Sequence, residues 1–232
     1  MARMLKPIGT IQTSYKEKFG IPRQAGLAGN IARITFEPEY DDENAFRGIE
    51  GFSHIWLLWE FSENKGEWRP TVRPPKLGGN ARMGVFATRS PYHPGSIGLS
   101  CVELLRAGKI NGRMFLEVRG ADLLDGTPIY DIKPYVPYAD CHPEATSGWL
   151  DFASLQKAEV SLSEDCVLPE SITEEKLNEI LEVLSLDPRP GYHDDEDRTY
   201  GMAYDMFNVE FKTTAGATKV TAITETQKGT DR

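Results

Sequence analysis

The sequence predicts a mainly β protein, a barrel or sandwich to about residue 150 followed by a small α+β domain over 151–232. Three observations carry this prediction. Before residue 135, seven short segments rich in β-branched and aromatic residues are bounded by Gly, Pro, Asn or Asp, and few of the gaps hold a helical pattern. No two glycines are two apart, so the G-x-G-x-x-G loop of a dinucleotide-binding sheet is excluded, and the P-loop pattern is absent too. The composition shifts near Asp151: from Glu159 to Asp197 there are 13 acidic residues against two basic ones, Lys176 and Arg189.

Taken in order, the strands are expected at Ile8–Tyr15, Asn30–Glu37, His54–Phe61, Gly84–Thr88, Ile97–Leu105, Arg113–Ala121 and Pro128–Lys133. "EVRG" alternates in polarity, as a strand with one wet face should, whereas "HIWLLW" reads as buried on both faces. One short helix is expected at Glu43–Ile49, after Asp41 and Asp42. In the acidic segment, "SITEEKLNEILEVLSLDPRP" reads as a helix. Ser171 with Glu174 forms a capping-box pattern, Leu177, Ile180, Leu181 and Leu184 follow helical spacing, and Pro188 stops it. "FNVEFKTT" and "TKVTAIT" form a hairpin around Ala215 and Gly216. The last residues, "ETQKGTDR", are expected to fray.

The chain of 232 residues is 40% hydrophobic and 26% charged, enough for one good core plus a small appendage and too ordinary in charge for wholesale disorder. Its net charge of −9 argues against nonspecific nucleic-acid binding by the whole surface, but not against a local basic patch. It has no apolar run long enough for a bilayer and no charged-then-apolar leader, so a soluble cytosolic protein is expected. Cys101, Cys141 and Cys166 are scattered, and His54, His93, His142 and His193 lack metal spacing. No G-x-S-x-G elbow is present. Hydride transfer on a dinucleotide fold, nucleotide hydrolysis and zinc hydrolysis therefore lose most of their support.

Four irregular loops remain: Lys16–Gly29, Gly66–Gly84, Gly84–Ser100 and Gly120–Asp140. Between Lys65 and Arg89 there are six basic residues (Lys65, Arg69, Arg73, Lys76, Arg82, Arg89) and one acidic, Glu67. Pro70, Pro74 and Pro75 stiffen the same segment, so its cations are held at little entropic cost, which suits phosphates. A solvated basic loop is the ordinary reading of such a run. The acidic background favours function, because a chain at −9 concentrates cations where something anionic docks. "DLLDGTP" reads as a turn at Asp125-Gly126 before Pro128. His54 reads as a hydrogen-bonded core histidine, and Trp56 and Trp59 as core.

"KEKFGIPRQAGL", "RGIEGFSHIWLL", "WRPTVRPPKLGGNARMGVFATRSP", "IGLSCVELL" and "ADLLDGTPIYDIKPYVPYAD" resemble the TsaA-like domain of the TrmO (YaeB) family over nearly all of residues 5–140. "DPRPGY" and "FNVEF" are similar to that family's bacterial C-terminal domain. The resemblance implies a single-sheet β-barrel and a homodimer that binds S-adenosyl-L-methionine (SAM) near its interface, with no metal. It implies methylation of N6 of N6-threonylcarbamoyladenosine beside the anticodon of threonine tRNA. It also implies cofactor-binding residues: Arg89 and Leu99; Gln24, Ala25 and Gly26; Leu123, Leu124, Asp125 and Gly126; and Ser62 and Glu63. Arg69, Arg73, Lys76 and Arg82 are the expected tRNA contacts. The chain departs from the family pattern after "RSP", with His93 for an arginine and Gly95-Ser96 for Asn-Pro, and Ala25 stands where the family has proline.

The acceptor nitrogen of such a urea-like group has a delocalised lone pair, so a base that removes its proton would help. Asp125 and Asp131 are the expected candidates, with Asp122 read as a turn cap and Asp140 nearby. Two other functions are open to the sequence: a SAM- or nucleotide-binding regulatory module without catalysis, and a methyltransferase with another acceptor.

Overall fold

The computed structural model describes residues 5–226 apart from 75–76, 78–80, 153–156, 190–194, 196 and 215. Lys76, Pro75, His193, Ala215, the Pro-Gly-Tyr of "DPRPGY" and residues 227–232 of the expected frayed end lie outside the described residues.

Six strands close the barrel: β1 (Gly9–Gln12), β2 (Ile31–Phe36), β3 (His54–Glu60), β6 (Ile97–Ile110), β7 (Arg113–Arg119) and β8 (Thr127–Pro134). Their order is β1-β2-β7-β6-β3-β8, and every pair around the ring is antiparallel. A two-residue ribbon, β4 (Thr71–Val72) with β5 (Met83–Gly84), stands beside it. A second sheet follows, of β9 (Glu159–Leu162), β10 (Tyr200–Tyr204), β11 (Phe207–Thr214) and β12 (Ala217–Glu225), in the order β10-β11-β12-β9 with β9 parallel to β12. Helix α1 (Pro137–Asp140) is a single turn, and α2 (Glu174–Ser185) packs on the second sheet.

Period-two burial builds the barrel. In β2, Ala32, Ile34 and Phe36 point inward; in β3, Ile55, Leu57 and Trp59 do. Ile34, Ile55 and Leu57, fully buried, each contribute roughly 1.5–3 kcal/mol by leaving water. The mainly β barrel with an appended α+β unit is borne out, and so is the hairpin β11–β12.

Several sequence expectations need correction. β3 is not buried on both faces, and His54 lies exposed at its start, its Nδ1 3.0 Å from Ser53 Oγ. A closed barrel of six strands wets its outer face, so the run of apolar letters in "HIWLLW" covers two different environments. Val85–Ala87 is one turn of 3-10 helix rather than a strand, because both the N–H and the hydroxyl of Thr88 return to the Val85 carbonyl at 3.0 and 2.8 Å. The expected helix at Glu43–Ile49 is two 3-10 turns, Glu43–Phe46 and Ile49–Gly51, separated by Gly48 at φ 88°. The N-cap of α2 is Thr173, whose Oγ1 accepts from the Lys176 N–H at 3.2 Å, while Ser171 bonds Glu225 instead.

Candidate active site

A cavity of about 530 Å³ opens at one end of the barrel, where the Lys16–Gly29 loop, the end of β3, the Arg89–Ile97 loop and the end of β7 converge. Its apolar wall includes Ile21, Trp59, Phe61, Ile97, Leu99 and Leu124; its polar groups include Lys18, Gln24, Glu60, Glu63, Arg89 and Asp122. That volume falls in the range of roughly 300–1,000 Å³ usual for small-ligand sites.

Local rules place these side chains. Antiparallel pairing sets Trp59 opposite Gly98, and the missing side chain at Gly98 makes room for the indole. A Cβ there would lie 2.2 Å from Trp59 Cε2. Gly98→Ala is therefore expected to lower stability by about 1–3 kcal/mol, read as a lower thermal denaturation midpoint. A midpoint equal to the parent's would mean that the indole moves aside freely.

With its ring seated, Trp59 Nε1–H donates to Ser100 Oγ at 2.9 Å, and the Ser100 hydroxyl donates to Asp122 Oδ1 at 2.6 Å. The chain of bonds fixes the Asp122 carboxyl. Its burial in the wall raises its pKa above the ordinary carboxylate value; hydrogen bonds from Ser100 and backbone N–H groups, and the positive charge of Arg89, pull the other way without cancelling that. Across the cavity, Arg89 Nη1 donates to Gln24 Oε1 at 2.6 Å, joining two loops far apart in sequence. Glu60 accepts from the Tyr130 hydroxyl at 2.5 Å, which together with partial burial pushes the Tyr130 phenol up to about 12.

The structure brings together Gln24, Ser62, Glu63, Arg89, Leu99 and Leu124 on this cavity. The side chain of Leu123 is instead fully buried in the barrel core, and Ala25, Gly26 and Gly126 are not on the cavity lining. Neither expected base faces the cavity. Asp125 accepts from the Thr13 N–H at 2.9 Å and from Lys16 Nζ at 2.8 Å, and Asp131 pairs with Lys133 at 2.6 Å and with the Ile132 N–H at 2.9 Å. Each carboxylate is engaged by these partners, and in the loop between β7 and β8 Asp125 sits in the turn before Thr127, three residues beyond Asp122 on the wall. The sequence pattern reads Asp122 as a turn cap and Trp59 as core; Trp59 is buried, yet both residues line the cavity. A signal was present in the pairing of Gly98 with Trp59, which becomes visible only once the strands are registered. The altered loop is tied down: His93 Nε2–H donates to the Thr88 carbonyl at 2.9 Å, and the His93 ring meets Phe86 edge-on at 5.7 Å.

A second cavity, of about 1000 Å³, adjoins the first and shares Gln24, Arg89 and Tyr92 with it. Arg69, Arg73, Arg82 and Trp149 line it. Arg69 stacks over Tyr92 at 4.9 Å, Arg82 Nη1 donates to Thr71 Oγ1 at 3.2 Å, and Trp149 Nε1 donates to the Ala87 carbonyl at 2.8 Å. Among the described residues no group of three or more His, Cys, Asp or Glu is placed to hold a metal, and no helix is long and apolar enough to cross a membrane.

Known proteins share this architecture. The family described as the tRNA-methyltransferase O N-terminal domain matches residues 10–141, and the TrmO C-terminal domain matches residues 156–226. The chain is 42% identical over 225 residues to a protein of Escherichia coli (strain K12) named tRNA (adenine(37)-N6)-methyltransferase, covering 93% of this chain and 95% of that one. It is 43% identical over 211 residues to a Pseudomonas aeruginosa protein named "Putative S-adenosylmethionine-dependent methyltransferase RcsF", covering 87% and 89%. A crystal structure of TrmO from Pseudomonas aeruginosa superposes with a TM-score of 0.77 at 31% identity, covering 97% of this chain and 99% of that one. With both domain models matched in order, and these relatives aligned over nearly their whole length, the chain belongs to the TrmO family of tRNA methyltransferases.

Proposed function

We propose that the protein is a SAM-dependent methyltransferase acting on N6 of adenosine 37 in tRNA, with N6-threonylcarbamoyladenosine beside the anticodon of threonine tRNA as the acceptor. The observation that carries this reading is the pairing of two adjoining cavities: an apolar one with facing cation and carboxylate, and an arginine-lined one beside it. SAM carries an aromatic base, a zwitterionic end and a sulfonium, and the first cavity offers a partner to each kind of group. The Arg89 guanidinium suits its carboxylate, Glu60 and Glu63 suit its cationic groups, and Trp59, Phe61 and Leu99 suit the base. When bound, the cofactor supplies a methyl group together with its own leaving group.

The chain's own residues then have three tasks. Trp59, Phe61, Ile97 and Leu99 exclude water from the reacting face. Gln24, held by Arg89, fixes the position of one wall. Asp122, rather than Asp125 or Asp131, takes the proton from the acceptor nitrogen: it is the aspartate on the cavity wall, and its raised pKa makes it a stronger base than a free carboxylate. Mass spectrometry of nucleosides from modified tRNA, incubated with SAM and the protein, is expected to show gain of one methyl group on threonylcarbamoyladenosine. Equal methylation of tRNA lacking the threonylcarbamoyl group would overturn that choice of acceptor.

Arg69, Arg73 and Arg82 bind tRNA phosphates in this reading. Changing all three to Gln is expected to flatten the dependence of log affinity on log salt by about 0.7–0.9 for each phosphate no longer neutralised, since fewer counterions are released. SAM affinity should hold. An unaltered slope in a filter-binding salt series would rule these phosphate partners out.

A homodimer accords with apolar residues exposed at the two cavities, Leu99 of the first at 50% and Phe86 of the second at 77%. A cytoplasmic location accords with a tRNA substrate. Two sheets, each with its own core cluster, support a division into domains at 1–150 and 151–232, with Tyr15 and Ala28 of the first joining the second cluster.

A further inference from the structure

The loop between β1 and β2 belongs to the barrel in sequence and to the second sheet in space. Tyr15 and Ala28 are buried in the second core, and Phe19 and Ile21 pack against it. The Phe19 ring stacks on Tyr200 and Phe211, with centroids 6.5 and 6.3 Å apart. Gly20, at φ 93°, approaches Met202 so closely that a Cβ would lie 2.4 Å from its Sδ. The Ala203 N–H donates to Glu17 Oε1 at 2.8 Å, and the Asp205 N–H to the Ser14 carbonyl at 2.7 Å. At the returning end of the loop, α2 supplies two carboxylates. Glu182 Oε2 accepts from the Gly29 N–H at 2.7 Å, and Glu179 Oε1 from the Ile31 N–H at 3.2 Å. Glu179 is buried, and its Oε2 accepts from Lys176 Nζ at 2.7 Å and from the Tyr204 hydroxyl at 3.1 Å. Bonds from N–H groups to ionised acceptors are stronger than neutral ones, and a carboxylate with both oxygens engaged has little freedom to turn.

Between these anchors lies the stretch Ile21–Gln24, which lines the first cavity and meets Arg89 there. We propose that the second sheet and α2 form a clamp that holds the Lys16–Gly29 loop in its cofactor-binding shape, with Glu182 and Glu179 as positioning residues. The inference rests on reading the first cavity as the SAM site. A loop ordered before binding loses no further entropy when the ligand arrives, so clamping appears as affinity. The appended sheet thereby contributes to a site whose chemistry belongs to the barrel.

The test uses the full chain. Glu179→Ala would remove a buried carboxylate shared by Lys176, the Tyr204 hydroxyl and the Ile31 N–H, so Glu182, with its side chain 38% exposed, is the residue to change. In ligand-free protein, Glu182→Ala is expected to speed amide hydrogen exchange across residues 17–29 while the barrel strands keep their protection. If the competent loop falls to about one tenth of molecules, the calorimetric Kd for SAM rises about tenfold. Glu182→Gln, which keeps an oxygen for the Gly29 N–H, is expected to restore most of that affinity, and the tRNA salt slope should stay at the parent value in both variants. Phe19→Leu, which keeps an apolar plug but removes the ring stack, should act like Glu182→Ala and serves if that variant does not fold. Parent-like SAM affinity, or parent-like exchange in the loop, in a folded Glu182→Ala variant overturns the clamp. Failure of the parent protein to bind SAM would overturn the cofactor reading itself, which separates the two failures.

Discussion

Replacing Asp122 with Asn is expected to slow methyl transfer in a single turnover by about 10²–10⁴-fold, the usual contribution of a positioned general base. Asn keeps the shape and still accepts from Ser100, which preserves the Trp59–Ser100–Asp122 chain. SAM and tRNA binding should remain. The sign of the electrostatic effect on the fold supports this variant as a clean test. A carboxyl whose pKa is raised in the folded state binds its proton more tightly there than in the unfolded chain. Its contribution favours folding at low pH and is lost as pH rises through the raised value. Above the raised value the ionised Asp122 is a cost that Asn removes, so the thermal midpoint there should not fall. The base acts in its ionised form, so the parent rate should drop as pH is lowered through this pKa, at a higher pH than for a free aspartate, and the variant should lack that limb. Should Asp125→Asn or Asp131→Asn slow transfer as strongly while Asp122→Asn leaves it at the parent rate, the assignment to Asp122 is wrong.

Arg89→Ala is expected to raise the Kd for SAM by about ten- to hundredfold, from the loss of a charge-assisted hydrogen bond of roughly 1.5–3 kcal/mol. Two effects add. The cavity loses its cation opposite Asp122, and Gln24 loses the donor that holds its Oε1 at 2.6 Å. Arg89→Lys keeps the charge but not the planar fork, and is expected to recover only part of the affinity. Because Arg89 also lines the arginine-rich cavity, the salt dependence of tRNA binding should flatten slightly in the alanine variant. Unchanged SAM affinity by calorimetry in a folded Arg89→Ala protein would remove Arg89 from the site.

Much of the fold was legible along the chain because barrel strands are local statements. A run such as Ile31–Phe36 alternates inward and outward, and its β-branched residues suit a pleated surface whatever strand lies beside it. The amphipathic stripe of α2 was equally plain, though its cap moved by two residues, since Ser171 found a partner in β12 that no local pattern announces. Strands β9 and β10 passed unnoticed: Glu159–Leu162 is four residues long and gains its place only by parallel pairing with Ala217–Val220. Val85–Ala87 failed as a strand because its hydrogen bonds are met by Thr88 within the turn.

The candidate site divides along the same line. By itself the sequence determined the mainly β class, the family resemblance, the clustering of cations before Arg89 and the set of loops from which a site is built. Those are properties of residue type and order. Only the tertiary structure decided which aspartate faces the cavity. Asp122 and Asp125 lie three residues apart in one loop; strand pairing turns the first toward Ser100 and Trp59 and the second toward Thr13 and Lys16. It also decided that Gln24 meets Arg89, and that Phe19 and Tyr15 serve the core of a sheet whose strands begin at residue 159. The physical reason is the range of the forces involved. Propensity and alternation act over a few residues, whereas the partner that fixes a carboxylate or completes a core comes from wherever chain closure brings it, and that is set by the register and packing of the whole fold.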